Sequence, residues 1–441
     1  MNRNSIKLIS HASVIINTPD CSILTDPWFF GRVFNNSWDL YPKSAWEDHL
    51  FNDVTHIWIS HEHPDHFSIP TLKSFPKFFK EKVTVIYQKN NSMRIPKALN
   101  TFLGFKKIKL INNNQIFSLS SQTSIMITQV GLVPDSMLAV MSNGYTILNV
   151  NDCEINKKDC LGLKKRLGNI DVVLNQFSIA GYRGQSNYST VLKNESKTIL
   201  KNMTNNHKDL GTKTTIPFAS FMYFCDTDNK YMNDFSNKID DVKNAFDKEN
   251  LNLSVLYPGD TLTLGKNYDS TKALKKYSKD YKLIEKLEYR VPEIIKLEII
   301  KKNFENRQQQ LKKYFPNWIL KKCKELTFYI NDLDKFILLS LHSGDFEEIK
   351  PIDYDISIGS EALNFGFEFT WGLSTIAVGA KYEVKNNWNI WKWYKIIATL
   401  NNSEIYLKPK YLFSLNNLIF FKSRASELPN QLFYKLQRLK E

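Results

Sequence analysis

The chain has 441 residues, 42% hydrophobic and 24% charged, a composition that excludes wholesale disorder and predicts two domains with buried cores. Its net charge of +14 is spread thinly, so we expect no DNA or RNA partner but favour a small, anionic substrate. We find no secretory signal, no apolar run of the roughly 18 residues that a membrane span needs, and only five scattered cysteines. These features predict a cytoplasmic protein without a transmembrane segment.

In chain order, the first elements are predicted to be short strands separated by turns. Residues 6–17 and 21–28 are typical of a hairpin with Thr18-Pro19-Asp20 at its turn. Residues 56–60 (HIWIS) indicate a strand buried on both faces. Ser68 is then placed to cap a helix that has a proline in its first turn.

The next part continues the series of strands. Asn143-Gly144 is a strong hairpin signal between two apolar runs. Residues 170–178 and 214–221 are further predicted strands, and the amphipathic pattern of residues 189–209 predicts a helix between them.

Near residue 266 the sequence becomes rich in lysine and glutamate with helical spacing. We therefore predict a first domain at 1–266, a helical connector at 267–326 and a C-terminal α+β accessory domain at 327–441. Within the last, residues 388–396 alternate as a strand does, and residues 425–440 are predicted to form a closing helix.

Three histidines and an aspartate crowd into the segment His61-Glu62-His63-Pro64-Asp65-His66. In an extended segment, side chains two positions apart share a face, so His61 and His63 converge on one ion. The turn into the helix aims Asp65 and His66 at a neighbouring point. Imidazole and carboxylate suit zinc, with iron or manganese as alternatives. The segment predicts one or two divalent metal ions, against the alternative of a solvated loop that caps a helix.

This segment resembles the HxHxDH signature of the metallo-β-lactamase fold, which implies an α/β, four-layer αββα sandwich with metals at one sheet edge. The resemblance extends over about residues 5–265. Residues 11–16 (HASVII) and 24–28 (LTDPW) are similar to ascorbate-lactone hydrolases and N-acylphosphatidylethanolamine phospholipase D. Similarity to the catalytic part of CMP-N-acetylneuraminate hydroxylases is found in residues 26–42, 147–155, 170–178 and 217–224.

The resemblance implies roles for residues outside the motif. Asp152 would be the carboxylate that bridges both metals, although its position after a strand is equally typical of a helix cap. His11 and Asp26 would lie near the metals and orient their ligands by hydrogen bonds, with a role in the core as the alternative.

Two histidines that usually complete such a site are missing. The chain has no histidine between the motif and Asp152, where Gln129 and Asp135 lie without a clear ligand signature. Near the end of the domain, Asp226 or Asp228 could replace the second histidine. That substitution would favour iron or manganese, because it adds an oxygen donor. Otherwise the site holds a single metal.

Three functions stay open at this point. The first is a metal-dependent hydrolase of an ester, lactone or phosphodiester, on a nucleotide-sugar-like or other anionic substrate, with Asp65 as general base. The second is a non-haem iron hydroxylase. No cysteine here begins the Cys-x-His or Cys-x-x-His pair of a Rieske cluster, so its electrons would come from a separate protein. The third is a non-catalytic module with a degenerate metal site.

Overall fold

The computed structural model describes residues 4–90, 93–130, 135–182, 184, 187–351, 353–385, 388–401, 404–418 and 421. They fall into two units, of which the first comprises 1–180, 189–226 and 230–290 and the second comprises 181–188, 227–229 and 291–441. The predicted connector 267–326 is shared between these units, because its first helix packs into the core of the first unit and its second helix into the other core.

Two sheets dominate the first unit. Its strands are β1 Ser5–Leu8, β2 Val14–Asn17, β3 Ser22–Thr25, β4 Trp38–Leu40, β5 His56–Ile59, β6 Thr84–Gln88, β7 Lys107–Ile111, β8 Ile116–Ser118, β9 Thr123–Val130, β10 Asp135–Ser142, β11 Tyr145–Asn151, β12 Val172–Gln176, β13 Thr214–Phe218, β14 Met222–Phe224 and β15 Thr261–Thr263. One sheet has the order β15-β1-β2-β3-β5-β6-β7 and the other β13-β12-β11-β10-β9-β8, while β4 pairs with β14.

Helices pack against both sheets. They are α1 Ile69–Ser74, α2 Lys77–Lys82, α3 Arg94–Lys97, α4 Lys157–Leu167, α5 Tyr188–Leu210, α6 Ile239–Lys248 and α7 Thr271–Tyr281. Trp58 of one sheet and Leu138 of the other belong to a core between the sheets. Phe79 packs on the outer face of the first sheet and Leu163 on that of the second. The layers therefore follow the order αββα, which confirms the predicted fold class.

The start of the chain differs from the predicted hairpin in one respect. Residues 6–17 are two strands, β1 and β2, because the chain turns at residues 9–13, where the amides of Ile9 and Ser10 donate to the Ser13 carbonyl. The predicted turn at Thr18–Asp20 is confirmed between β2 and β3. The additional turn places His11 at an end of the sheet instead of inside a strand.

Local sequence signals elsewhere are confirmed. The Ser68 side chain accepts a hydrogen bond from the Thr71 amide at the start of α1. Asn143 and Gly144 both have positive φ, 49° and 74°, and connect β10 to β11. This left-handed pair matches the twist of the two strands, which is why the dipeptide marks hairpins.

The second unit is an α+β domain, as predicted. Its described strands are β16 Leu326–Ile330, β17 Lys335–Leu339, β18 Phe346–Ile349, β19 Ile356–Ile358 and β20 Tyr382–Val384, and its helices are α8 Leu297–Tyr314, α9 Asn317–Leu320, α10 Ser360–Glu368, α11 Gly372–Val378 and α12 Trp388–Tyr394. The strands pair in the order β18-β17-β16-β19-β20. Among all the helices described, none combines the length and apolar character needed to cross a membrane.

The prediction of a strand at 388–396 is wrong, because this segment begins with α12. Ile390, Trp393 and Ile397 are buried in the core of the second unit, at the three- and four-residue spacing of a helix face. The tryptophans recur at every second or third position, which fits both the alternation of a strand and the spacing of a helix face. The packing of this segment in the core therefore decided between strand and helix. The helix predicted at 425–440 lies outside the described residues.

Helices α10 and α11 approach so closely that Gly372 has no room for a side chain. A Cβ there would lie 2.2 Å from the Phe365 carbonyl oxygen. We expect Gly372→Ala to destabilise the second unit by about 1–3 kcal/mol, because backbone must move to relieve the overlap. Urea unfolding followed by fluorescence measures this. Gly162→Ala, inside α4, is the control and should be neutral or stabilising, because its Cβ would meet only the flexible Arg166 side chain.

Candidate metal centre

The polar side chains of the candidate site lie where strands of both sheets end. Asp26 directly follows β3, residues 60–66 follow the parallel neighbour β5, and Asp152 follows β11 of the other sheet. Asp26 and Asn151 have positive φ, 34° and 62°, a conformation that aspartate and asparagine adopt more readily than most residues. Strand ends of this kind are the usual location of ligand sites in α/β folds.

The structure brings the motif residues together as two clusters with metal-ligand chemistry. The first cluster is His61, His63 and Asp152; the second cluster is His11, Asp65 and His66. In each cluster, one donor atom per residue lies within 4.8 Å of the other two. Each cluster offers two imidazoles and one carboxylate.

Distances between donor atoms fit the size of a metal ion. The His61 Nε2 atom lies 2.8 Å from His63 Nδ1 and 3.6 Å from Asp152 Oδ2. In the second cluster, Asp65 Oδ2 lies 3.4 Å from His11 Nε2 and 3.2 Å from His66 Nε2. Two ligands of a tetrahedral zinc with bonds of about 2.0–2.1 Å are about 3.3 Å apart. Both clusters are therefore suited to a divalent cation.

Unsatisfied polar atoms in the site support the same fit. Among the described residues, the buried atoms Asp65 Oδ1 and Asp152 Oδ1 have no hydrogen-bond partner, and the buried His66 Nε2 lies 3.2 Å from Asp65 Oδ2. A buried polar group without a partner costs about 1–3 kcal/mol, and a cation offers such atoms the partner that the protein lacks. Asp152 Oδ2 also lies 3.5 Å from His66 Nε2, so this carboxylate is within reach of both clusters.

Asp26 is the centre of a hydrogen-bond network beneath the second cluster. Its fully buried carboxylate accepts hydrogen bonds from the backbone and hydroxyl of Ser60, each 2.7 Å long, and from Asn151 Nδ2 at 2.7 Å. His66 Nδ1 lies 3.0 Å from the same carboxylate and donates to it. This bond orients the ring so that Nε2 lies next to Asp65, and a hydrogen bond of this kind from the other ring nitrogen is typical of metal-binding histidines.

His61 is oriented in a similar way. The Ser60 hydroxyl donates a hydrogen bond to Asp26. Because its hydrogen is used there, the Ser60 oxygen accepts a hydrogen bond from His61 Nδ1 at 2.9 Å. His61 Nε2 is then available in the first cluster. Burial lowers the pKa of His61 and favours the neutral ring, which is the form that binds a metal.

The second cluster is strongly ionic. Burial acts to raise the pKa of Asp65, but contacts with His66 and His11 outweigh it and hold that pKa well below its usual range. Burial likewise acts to lower the pKa of His66, but Asp65, Asp152 and the bond to Asp26 raise it well above its usual value. A cation at His66 Nε2 would therefore have to displace a proton.

The first cluster is the part of the site that is open to solvent. His63 is exposed and Asp152 retains 21% side-chain exposure, whereas His11, Asp65 and His66 are buried.

Burial and the charge of Asp152 raise the pKa of Asp135, at the start of β10, to about 7. The sequence placed Asp135 near the site but gave no reason to single it out, because a strand's first residue carries no local ligand signature.

Other residues considered in the sequence are engaged elsewhere. The Asp226 carboxylate forms an ion pair with Arg290 at 3.0 Å and is not a member of either cluster. The Gln129 side chain donates to the Lys89 carbonyl at 3.0 Å. The sequence missed Ser60 and Asn151, whose hydrogen bonds orient two histidines; their only signal was their place at the ends of β5 and β11.

Comparison with known families identifies the domain that carries these clusters. Residues 5–175 match the model of the beta-lactamase superfamily domain. The chain contains a β-lactamase superfamily domain. The matched segment includes the motif 61–66, Asp26 and Asp152, and the family predicted from the motif is thus confirmed for this part of the chain.

Curated relatives of this β-lactamase superfamily domain share one description. The chain is 26% identical over 254 residues to cytidine monophosphate-N-acetylneuraminic acid hydroxylase from Danio rerio, which covers 53% of this chain and 41% of that protein. It is 28% identical over 279 residues to the inactive human protein of that name, covering 59% of this chain and 54% of that protein. The chain thus spans about half the length of these relatives.

Among solved structures, CmlA, a diiron β-hydroxylase from Streptomyces venezuelae, is similar with a TM-score of 0.42 and 15% identity, covering 60% of this chain and 55% of that one.

Proposed function

We propose that this chain is a metal-dependent hydrolase in which water attacks an ester, lactone or phosphodiester bond. The observation that carries the proposal is the pair of clusters, whose facing nitrogen and oxygen atoms lie 2.8–3.6 Å apart beneath a rim that is open to solvent. Zinc is the cation that we propose, with iron or manganese as alternatives. Such a cation, held by the two clusters, would supply Lewis-acid chemistry, which lowers the pKa of a bound water and polarises a carbonyl or phosphoryl oxygen.

The side chains of the two clusters have different proposed roles in the reaction. Among the described residues the buried Oδ1 atom of Asp65 has no hydrogen-bond partner, and we assign to it the role of accepting the proton of an attacking water. The buried second cluster excludes bulk solvent from that oxygen. His63 and Asp152 are the more exposed members of the two clusters, so we propose that the substrate binds on their side.

We propose an anionic, nucleotide-sugar-like compound or a phosphodiester as the substrate class. The net charge of +14 favours such a molecule by raising its local concentration. The names of the curated relatives, which refer to a cytidine monophosphate sugar, point to the same class.

Metal analysis combined with a substrate screen tests the proposal. Protein purified in air without added metal is expected to contain zinc, and the zinc-loaded protein should cleave a member of one class among esters, lactones, phosphodiesters and CMP-sugars. The double variant His61→Ala, Asp65→Ala is the control and should not cleave it. Cleavage of none of these classes by a zinc-loaded wild type would refute hydrolysis.

A non-haem iron hydroxylase is the second candidate function. Each cluster holds two histidines and one carboxylate, a ligand set that is typical of iron(II) oxygenases. The curated relatives are also described as hydroxylases. Such a reaction would need electrons from a separate protein. Iron at one to two equivalents in the purified protein, with oxygen consumption that depends on an added reductant, would favour this candidate over hydrolysis.

A further inference from the structure

His11 lies in an unexpected place relative to the motif. The turn between β1 and β2 carries it to the second cluster, where its ring is 2% exposed and packs edge-on against Trp28 at 5.4 Å. Its Nε2 atom faces the Asp65 carboxylate at 3.4 Å. The family resemblance implied that His11 orients ligands by hydrogen bonds, with a role in the core as the alternative.

The second cluster has room for a further protein ligand that the motif does not supply. Asp65 and His66 provide two donor atoms, and the expected histidine near residue 226 is absent from the sequence. Asp226, the substitute suggested by the sequence, forms an ion pair with Arg290 at 3.0 Å. With Asp152, whose Oδ2 atom lies 3.5 Å from His66 Nε2, a cation there would have three protein ligands, and His11 would supply the fourth of a tetrahedral site.

We propose that His11 is a direct ligand of a second divalent cation, which it holds together with Asp65 and His66. This inference rests on the proposed metal centre and assigns a further ligand to its second cluster. The Nε2 atoms of His11 and His66 lie 3.4 and 3.2 Å from Asp65 Oδ2, close to the roughly 3.3 Å expected between ligands of one tetrahedral ion. The Oδ1 atom of Asp65 is buried and has no hydrogen-bond partner among the described residues.

The competing explanation is a structural hydrogen bond from His11 Nε2–H to Asp65. The geometry is poor for that bond, because 3.4 Å is longer than the 2.7–3.2 Å of ordinary N–H···O bonds. Metal binding has a cost too. With Nε2 on the cation, His11 Nδ1 would carry the proton, and this buried atom has no hydrogen-bond partner in the part of the chain that the structure describes. A water in the site would have to accept that proton's hydrogen bond.

His11→Gln separates the two explanations, because glutamine retains an N–H donor near the position of Nε2 but is a poor ligand for zinc. Each variant is equilibrated with zinc, desalted, and its zinc content measured by mass spectrometry. We expect two equivalents in the wild type and one in His11→Gln. Two controls should retain both: His207→Gln, a buried histidine bonded to Thr215 outside the clusters, and Asp226→Asn.

The outcomes distinguish this inference from the proposed function. Two equivalents in both the wild type and His11→Gln would overturn the role of His11 and leave the metal centre intact. A single equivalent in the wild type would leave no second cation for His11 to hold and would also overturn the inference. A wild type without zinc, iron or manganese would overturn both the inference and the proposed function.

Wild-type crystals test the inference without a variant, should His11→Gln fail to fold. Anomalous scattering at the zinc edge is expected to show an ion about 2.1 Å from the Nε2 atoms of both His11 and His66. An ion that contacts His66 and Asp65 but lies beyond about 3 Å from His11 would contradict the assignment.

Discussion

Asp65→Asn is expected to lower turnover by about 10³-fold or more for the substrate that the screen identifies. Asparagine nearly preserves the size of the side chain, but it removes the negative charge that faces His11 and His66 and the oxygen proposed to accept a proton. The loss should appear in kcat more than in KM, because the proton acceptor acts in the transition state.

The control for this variant is Asp226→Asn, a fully buried carboxylate outside both clusters that pairs with Arg290. It should retain kcat within a few-fold of the wild type, although its stability can fall. Circular dichroism of both variants establishes that they are folded. A turnover of Asp65→Asn within tenfold of the wild type would exclude Asp65 from the chemistry.

Asp26→Ala is expected to cost about 3–5 kcal/mol of the free energy of unfolding of the first unit. The fully buried carboxylate accepts hydrogen bonds from Ser60, Asn151 and His66, and alanine leaves all these donors without an acceptor. Loss of the bond to His66 should also weaken zinc binding by about 10–100-fold, because the ring is no longer held in one tautomer.

Urea unfolding of the metal-free protein measures the first effect, and zinc titration calorimetry measures the second. Asp247→Ala, an exposed aspartate paired with Lys243 on α6, is the control and should change neither quantity appreciably. If Asp26→Ala unfolded at the same urea concentration as the wild type and bound zinc equally well, the network would have no role in the site.

Much of the fold was predictable because its signals are local. The Ser68 cap and the Asn143-Gly144 turn depend on backbone angles within a few residues, and both are confirmed. The two strands at residues 5–17 were not separated, because the turn that divides them contains no proline or glycine. The prediction of a strand at 388–396 was wrong because the tryptophans fit the periods of both a strand and a helix. Only burial in the core of the second unit selected the helix.

From the sequence alone, residues 61–66 could be recognised as a cluster of metal-ligand side chains between a buried strand and a helix. This was possible because the alternation of side chains along a strand and the turn that follows it depend only on a few adjacent residues. Only the tertiary structure decided which distant groups face it. His11, Asp26 and Asn151 belong to different strands and turns, and Asp226 pairs with Arg290. Their contacts depend on how the two sheets pack and where each strand ends, and no short stretch of sequence encodes that geometry.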